Sequence, residues 1–245
     1  MDSAPRVRVM IIALCGQKGG SGKSTAAQGI ATELMLRERR VLLVDADPQG
    51  TTRTWSDVAG EGGRRVPSVV AMGAKMHVPG QLDAVLRSYD DCVIDCPPRH
   101  GEIQRAALMV ADLAILPCGP SPADAWAMTE SVELVNEAKI VRPHLLAYGL
   151  ISQMRRIAIG AGARDALVGI GLPVLAAELR QRAAHAEAMA SGQGITDYDA
   201  TSPAADEVRA LVDELFALTR KGTHAKHKTS TRRSQATEGR PSSAP

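Results

Sequence analysis

Eight consecutive residues, Lys18-Gly19-Gly20-Ser21-Gly22-Lys23-Ser24-Thr25, bring together three glycines, two lysines and three hydroxyls. Glycines let the backbone bend tightly and turn its N–H groups inward, and a helix start behind them completes a concave anion site. In such a loop Lys23 reaches the β- and γ-phosphates and the Ser24 hydroxyl faces Mg²⁺. The chemistry requires a strand before the loop and a helix after it. Val9 to Cys15 is a continuous apolar run of strand length, and Ala27, Ile30, Ala31, Leu34 and Met35 recur at helical spacing. A glycine-rich turn with incidental lysines would assemble this combination in well under about one chain in a thousand.

Two further segments carry carboxylates at the ends of apolar runs. Val41-Leu42-Leu43-Val44 leads into Asp45-Ala46-Asp47-Pro48-Gln49-Gly50, and Cys92-Val93-Ile94 leads into Asp95-Cys96-Pro97-Pro98. Runs without polar alternation suit strands covered on both faces, and ligands of open α/β sheets bind beyond such strands' carboxyl ends. Asp-x-Asp-Pro read by itself is equally a helix cap and turn. An apolar strand ending in Asp95 fits a carboxylate that holds the Mg²⁺ shell through water, though the pattern by itself is weak. Pro97 and Pro98 cannot continue a strand ladder.

The loop departs from the ordinary G-x-x-x-x-G-K-[ST] pattern, which places glycine where this chain has Gln17, and it adds a second lysine, Lys18. Lys-Gly-Gly-x-Gly-Lys-Ser resembles the deviant Walker A motif of the ParA/MinD family of ATPases, most closely the short ParA type used in DNA partition. The resemblance covers residues 7 to about 219. It implies ATP and Mg²⁺ as cofactors, with Gly19, Gly20, Ser21, Gly22, Lys23, Ser24 and Thr25 around the nucleotide. It implies that Lys18 reaches across an ATP-dependent sandwich homodimer to the partner's phosphates, as a cation supplied in trans. Asp47 corresponds to the acid required for hydrolysis, with Asp45 in support, and Asp95 to the Walker B acid. Where relatives carry an Asn that helps to read adenine this chain has Ser152-Gln153, and Gln153 offers a comparable amide. The dimer is expected to bind DNA without sequence preference, with Arg182 matching a basic groove residue, until a centromere-binding ParB-like partner stimulates hydrolysis. Alternatives within the family are recruitment of a conjugative DNA-transfer complex and a MinD-like positioning role.

Alternating strands and helices imply an α/β fold: a doubly wound, mostly parallel sheet with helices on both faces. The sequence predicts further strands at 66–72, 111–117, 145–151 and 171–175. Helices are expected at 51–58, 79–88, 106–110, 178–190 and 204–218, and one opens at Ser121-Pro122-Ala123-Asp124 and runs to Val141. Trp126 in that helix reads as a packing residue, and His77 and His100 as incidental. The ATPase domain is expected over 1–219 and a basic, disordered tail over 220–245.

Aromatic residues make up only 2% of the chain, so the core rests on aliphatic side chains. Cys15, Cys92, Cys96 and Cys118 sit in or beside strands and read as small buried hydrophobes of a reducing compartment, with a metal or iron–sulfur site the alternative. The few polar residues before the first strand predict neither a secretory signal nor a helix-turn-helix domain, and no run is long enough to span a bilayer. A cytoplasmic, nucleoid-associated protein without a membrane partner is expected. Net charge is +2, but residues from 220 onward, with Arg220, Lys221, Lys226, Lys228, Arg232 and Arg233 among seven bases against one acid, carry +6 and leave the body at −4. That tail is the second candidate for DNA attraction.

Overall fold

The computed structural model describes residues 9–154 and 157–219, the side chains of 157–161 excepted. Within them the apolar runs form strands β1 (Met10–Leu14), β2 (Val41–Asp45), β3 (Ser68–Ala71), β4 (Asp91–Asp95), β5 (Leu113–Cys118), β6 (Leu146–Met154) and β7 (Val174–Arg180). They make one sheet in the order β3-β2-β4-β1-β5-β6-β7, and every adjacent pair is parallel. Helices α1 (Lys23–Leu36), α2 (Thr51–Glu61), α3 (Leu82–Val85), α4 (Gly101–Val110), α5 (Pro122–Trp126), α6 (Thr129–Val141), α7 (Ile157–Gly169), α8 (Ala183–Ala190), α9 (Ile195–Tyr198) and α10 (203–219) surround it. The expected doubly wound architecture holds.

Two-residue periodicity builds the core on both sides of the sheet. From β1, Ala13 enters one apolar cluster with Leu42, Val44, Ile94, Ala107 and Val135. Its neighbours Ile12 and Leu14 enter the other with Leu43, Val93, Ile30, Leu34, Trp55 and Leu211. Each central strand therefore needs apolar side chains at successive positions, which is why these segments read as unbroken runs. Burying both faces fixes the register, which aligns Leu14, Asp45 and Asp95 across the sheet.

Some elements differ from the sequence reading. The helix expected from Ser121 to Val141 is split at Ala127 and Met128, where the Thr129 hydroxyl takes the Trp126 carbonyl (2.9 Å) out of the helical ladder. Trp126 is 65% exposed, so the packing role is not observed. The last strand runs on through Glu178 to Arg180 and the next helix begins only at Ala183, later than expected. Helix α7 has no counterpart in the sequence reading, because its glycines obscure the helical pattern. Only Leu82–Val85 and a 3₁₀ turn at Leu86–Ser88 form within 79–88. No helix among the described residues is long and apolar enough to cross a membrane.

Candidate functional site

The loop after β1 turns at glycines. Gly20 and Gly22 have φ of 70° and 90°, a left-handed conformation that L side chains adopt only at a cost, and Gly22 caps α1. The loop is braced from three directions. The Ser152 hydroxyl donates to the Ser21 carbonyl (2.6 Å), with the Cys118 carbonyl 3.2 Å away. The buried Gln104 amide accepts from Gly16 N–H (3.2 Å) and donates to the Pro97 carbonyl (2.9 Å), joining this loop to the segment after Asp95. Gln17 N–H donates to the Ser131 hydroxyl (3.1 Å).

The two lysines occupy different environments. Lys23 is only 6% exposed and donates to the Lys18 carbonyl (2.8 Å). Burial lowers its pKa, and Asp95, the Cys96 and Cys15 thiols and Asp47 act against that shift. A cation stripped of water in this way favours an anionic ligand. Lys18 is half exposed, and its ammonium is held by Asp124 of the same chain. Asp124 also closes the capping box of α5 with Ser121.

Beyond β2, Asp45 is buried and staples the following loop: it accepts from the N–H groups of Asp47 (3.1 Å) and Arg53 (2.9 Å). Its support for Asp47 is thereby structural. Asp47, half-buried, accepts from Gln49 N–H (2.9 Å) and lies close enough to Lys23 to influence its charge. Asp95 is 1% exposed; Thr52 donates to its Oδ2 (2.8 Å), the Ser24 hydroxyl stands beside the carboxylate, and the buried Oδ1 has no partner at close hydrogen-bond distance. Burial raises the Asp95 pKa to about 6, with Ser24, Thr52 and Lys23 pulling it down and Asp45 adding to the rise.

The structure thus brings together Lys23, Ser24, Asp47 and Asp95, while the Lys18 ammonium is turned to Asp124. A buried carboxylate with an orphaned oxygen beside a serine hydroxyl is a hard-oxygen donor set suited to Mg²⁺, and the ion's charge would offset the desolvation that raises Asp95. Gln153 sits at a positive φ of 56° and its amide donates to the Gly20 carbonyl. Arg182 lies apart from this site, ion-paired to Glu207 (2.6 Å). Arg220, Lys221, Lys226, Lys228, Arg232 and Arg233, and with them the expected tail, fall outside the described residues.

All four cysteines are buried thiols, and Cys15 and Cys96 lie 3.7 Å apart beneath the loop. That contact with Cys15, and burial after it, push the Cys96 thiol well above its ordinary value. No cluster among the described residues has the donors to hold a metal by side chains alone. Thr52, Gln104, Ser131, Asp124 and Ser152 carry no sequence signal as site residues. Each acts through a contact distant in the chain, and no spacing rule marks it.

Residues 12–195 match the CobQ/CobB/MinD/ParA nucleotide binding domain, and the chain belongs to this family. It is 32% identical to the maintenance of carboxysome distribution protein A of Halothiobacillus neapolitanus, over 85% of this chain and 97% of that one. It is 28% identical to the chromosome-partitioning ATPase Soj of Thermus thermophilus, over 86% and 97%. In fold it is similar to the septum site-determining protein MinD of Pyrococcus horikoshii, solved with Mg-ADP, at 19% identity and a TM-score of 0.67, covering 88% of this chain and 99% of that one.

Proposed function

We propose that this protein is a ParA-type ATPase that hydrolyses ATP to ADP and phosphate, and that distributes a large cargo by cycling on and off DNA. The division between a buried Lys23 and an exposed Lys18 carries the reading. One lysine is built into its own chain's loop, whereas the other is half exposed and paired with the part-buried carboxylate of Asp124. Mg²⁺ would be held by Ser24 and, through water, by Asp95, and supplies charge neutralisation on the phosphates. Lys23 holds the phosphates of its own chain's nucleotide. Lys18 leaves Asp124 for the nucleotide of a second copy, so the active species is an ATP-dependent homodimer. Asp47 orients the attacking water, and Gln153 moves from the Gly20 carbonyl to the adenine edge.

DNA attraction is assigned to two sources: Arg182, which supplies the ATP-gated part after parting from Glu207, and the basic residues from Arg220 onward. A ParB-like partner stimulates turnover and ends the DNA-bound phase. Chromosome or plasmid segregation is one cargo reading, supported by the Thermus relative. The Halothiobacillus relative, named for carboxysome distribution, supports a cargo other than DNA carried by the same cycle.

Light scattering and DNA binding with and without ATP test the proposal. Wild type should dimerise and bind duplex DNA only with ATP. Lys18→Ala should bind ATP as a monomer but neither dimerise nor turn over, and Asp47→Ala should accumulate as an ATP-bound dimer. A Lys18→Ala protein that dimerises and hydrolyses normally would make this an ordinary P-loop enzyme.

A further inference from the structure

Behind the metal-facing carboxylate runs a buried chain of polar groups that the reaction as described does not use. Gln28 is 3% exposed and Thr52 is fully buried, yet both are polar, and burying an amide and a hydroxyl is costly unless they are hydrogen-bonded. Gln28 Nε2 donates to Thr52 Oγ1 (3.3 Å), and Thr52 Oγ1 donates to Asp95 Oδ2 (2.8 Å). The direction of this chain is fixed by chemistry. An amide N–H can only donate, so the hydroxyl oxygen is the acceptor towards Gln28. Its single proton then goes to Asp95, which as a carboxylate can only accept. Oδ2 is thereby committed, and the buried Oδ1 has no close partner, with the Ser24 hydroxyl beside the carboxylate.

We infer that Gln28 and Thr52 are positioning residues: they hold Asp95 so that Oδ1 is presented to the Mg²⁺ shell, and they tie that carboxylate to the loop carrying Asp47. The second part follows from where the atoms sit in the chain. Gln28 lies one turn beyond Ser24 on α1, so both face the same side of that helix. Thr52 stands in the first turn of α2, directly after the Asp47–Gly50 loop, and the next residue, Arg53, is pinned through its N–H to Asp45. The loop's far end is thus anchored at adjacent residues to the carboxylates ending β2 and β4. A movement of the Asp47 loop on nucleotide binding would pass through Thr52 to Asp95. Orienting groups behind a metal site commonly change metal affinity or activity by about 10–100-fold when removed.

The inference rests on Mg²⁺-ATP being the bound species, and the experiment separates the two. Binding of a fluorescent N-methylanthraniloyl ATP is titrated in excess Mg²⁺ and in EDTA, and the ratio of affinities reads the metal-dependent gain. Thr52→Val keeps the shape and removes the donor; its gain should fall about 10–100-fold with the EDTA affinity unchanged. Thr52→Ser should restore the gain, and Gln28→Met should lower it in the same direction by less. A wild-type gain in Thr52→Val overturns the inference. So does an equal loss with and without Mg²⁺, which would report loop damage, or a failure of Thr52→Ser to restore. Should Thr52→Val not fold, Gln28→Met decides, and an unchanged ratio there is fatal. A wild-type protein whose affinity ignores Mg²⁺ would sink the Mg²⁺-ATP reading itself.

Discussion

The two ends of β4 each carry a buried aspartate, and the protein treats them in opposite ways. At the amino end Asp91 is fully buried and gripped in a fork by Arg39, with Nη2 3.0 Å from Oδ1 and Nε on Oδ2. The same guanidinium lies 5.4 Å from the centre of the Phe216 ring, so the pair also fastens α10 to the sheet. Burial raises the Asp91 pKa and Arg39 works against the rise. At the carboxyl end Asp95 has the Thr52 and Ser24 hydroxyls in place of an arginine, no close partner on Oδ1, and a pKa pushed up by burial to about 6. The same residue type on one strand is a structural clamp where it is paired with arginine and, in the function proposed above, a metal-facing group where it is not. Burial alone therefore does not mark a functional carboxylate; burial with an open valence does.

Breaking the clamp should produce the largest effect on stability. Arg39→Met leaves Asp91 buried and uncompensated, at a cost of about 3–5 kcal/mol in urea unfolding. A loss under about 1 kcal/mol, the range of an exposed pair, would show that Asp91 is not acting as a buried charge.

At the other end the sign reverses. The Asp95 pKa lies above its ordinary 3.8, so the native state holds the proton more tightly than the unfolded chain. Its contribution to stability is complete below about pH 4 and is lost as pH rises through 6. In metal-free protein at pH 7, Asp95→Asn should therefore be more stable than wild type, by up to about 3 kcal/mol, and the gap should close towards pH 4. Saturating Mg²⁺-ATP should favour wild type instead. Urea titrations across that pH range are the measurement, and a variant no more stable than wild type at pH 7 would equate the two ends of β4.

Lys23→Ala sharpens the same contrast from the cation side. Removing the ammonium should weaken ATP binding by at least about 100-fold, roughly 2.7 kcal/mol, with little change in the fold. Equilibrium binding checks it, and a loss below about tenfold would mean that the backbone N–H groups alone make the anion site.

The smallest effect concerns charge that is already spent. Glu207 accepts from the Arg180 backbone N–H (2.9 Å) and pairs with the Arg182 guanidinium (2.6 Å), with the Arg180 guanidinium 3.9 Å away, so the Arg182 charge is met within the chain. Glu207→Gln should release Arg182 and steepen the dependence of log affinity for duplex DNA on log salt, by about 0.9 for each additional phosphate neutralised. An unchanged slope would remove Arg182 from the DNA surface and leave the residues from 220 onward as the source of attraction.

Much of the fold was legible in the chain because both faces of a parallel sheet are covered. The unbroken runs at 9–15, 41–44 and 92–94 can be little else, and the loop from Lys18 to Thr25 names its own chemistry through local spacing. The same locality explains the errors. Pro122 to Val141 forms two helices, with the Thr129 hydroxyl reaching back to the Trp126 carbonyl at the break and Trp126 exposed beside it, and local spacing marks neither. Helix α7 escapes a sequence reading because glycine weakens a periodic signal without abolishing the helix.

What the sequence by itself determined is the set of groups able to hold a nucleotide: two lysines, a serine and acids at strand ends. Which of them are satisfied and which are open was decided only by the tertiary structure. Asp45 and Asp47 differ by two positions, yet one is a buried staple and the other a half-exposed group near Lys23. Asp91 and Asp95 differ by four, yet only one meets an arginine. Gln28, Thr52 and Asp95 are separated by 24 and 43 residues, and meet only because the parallel register sets β4 beside β1 and β2. Hydrogen bonding and desolvation act over a few ångströms of space, and sequence distance carries no information about that.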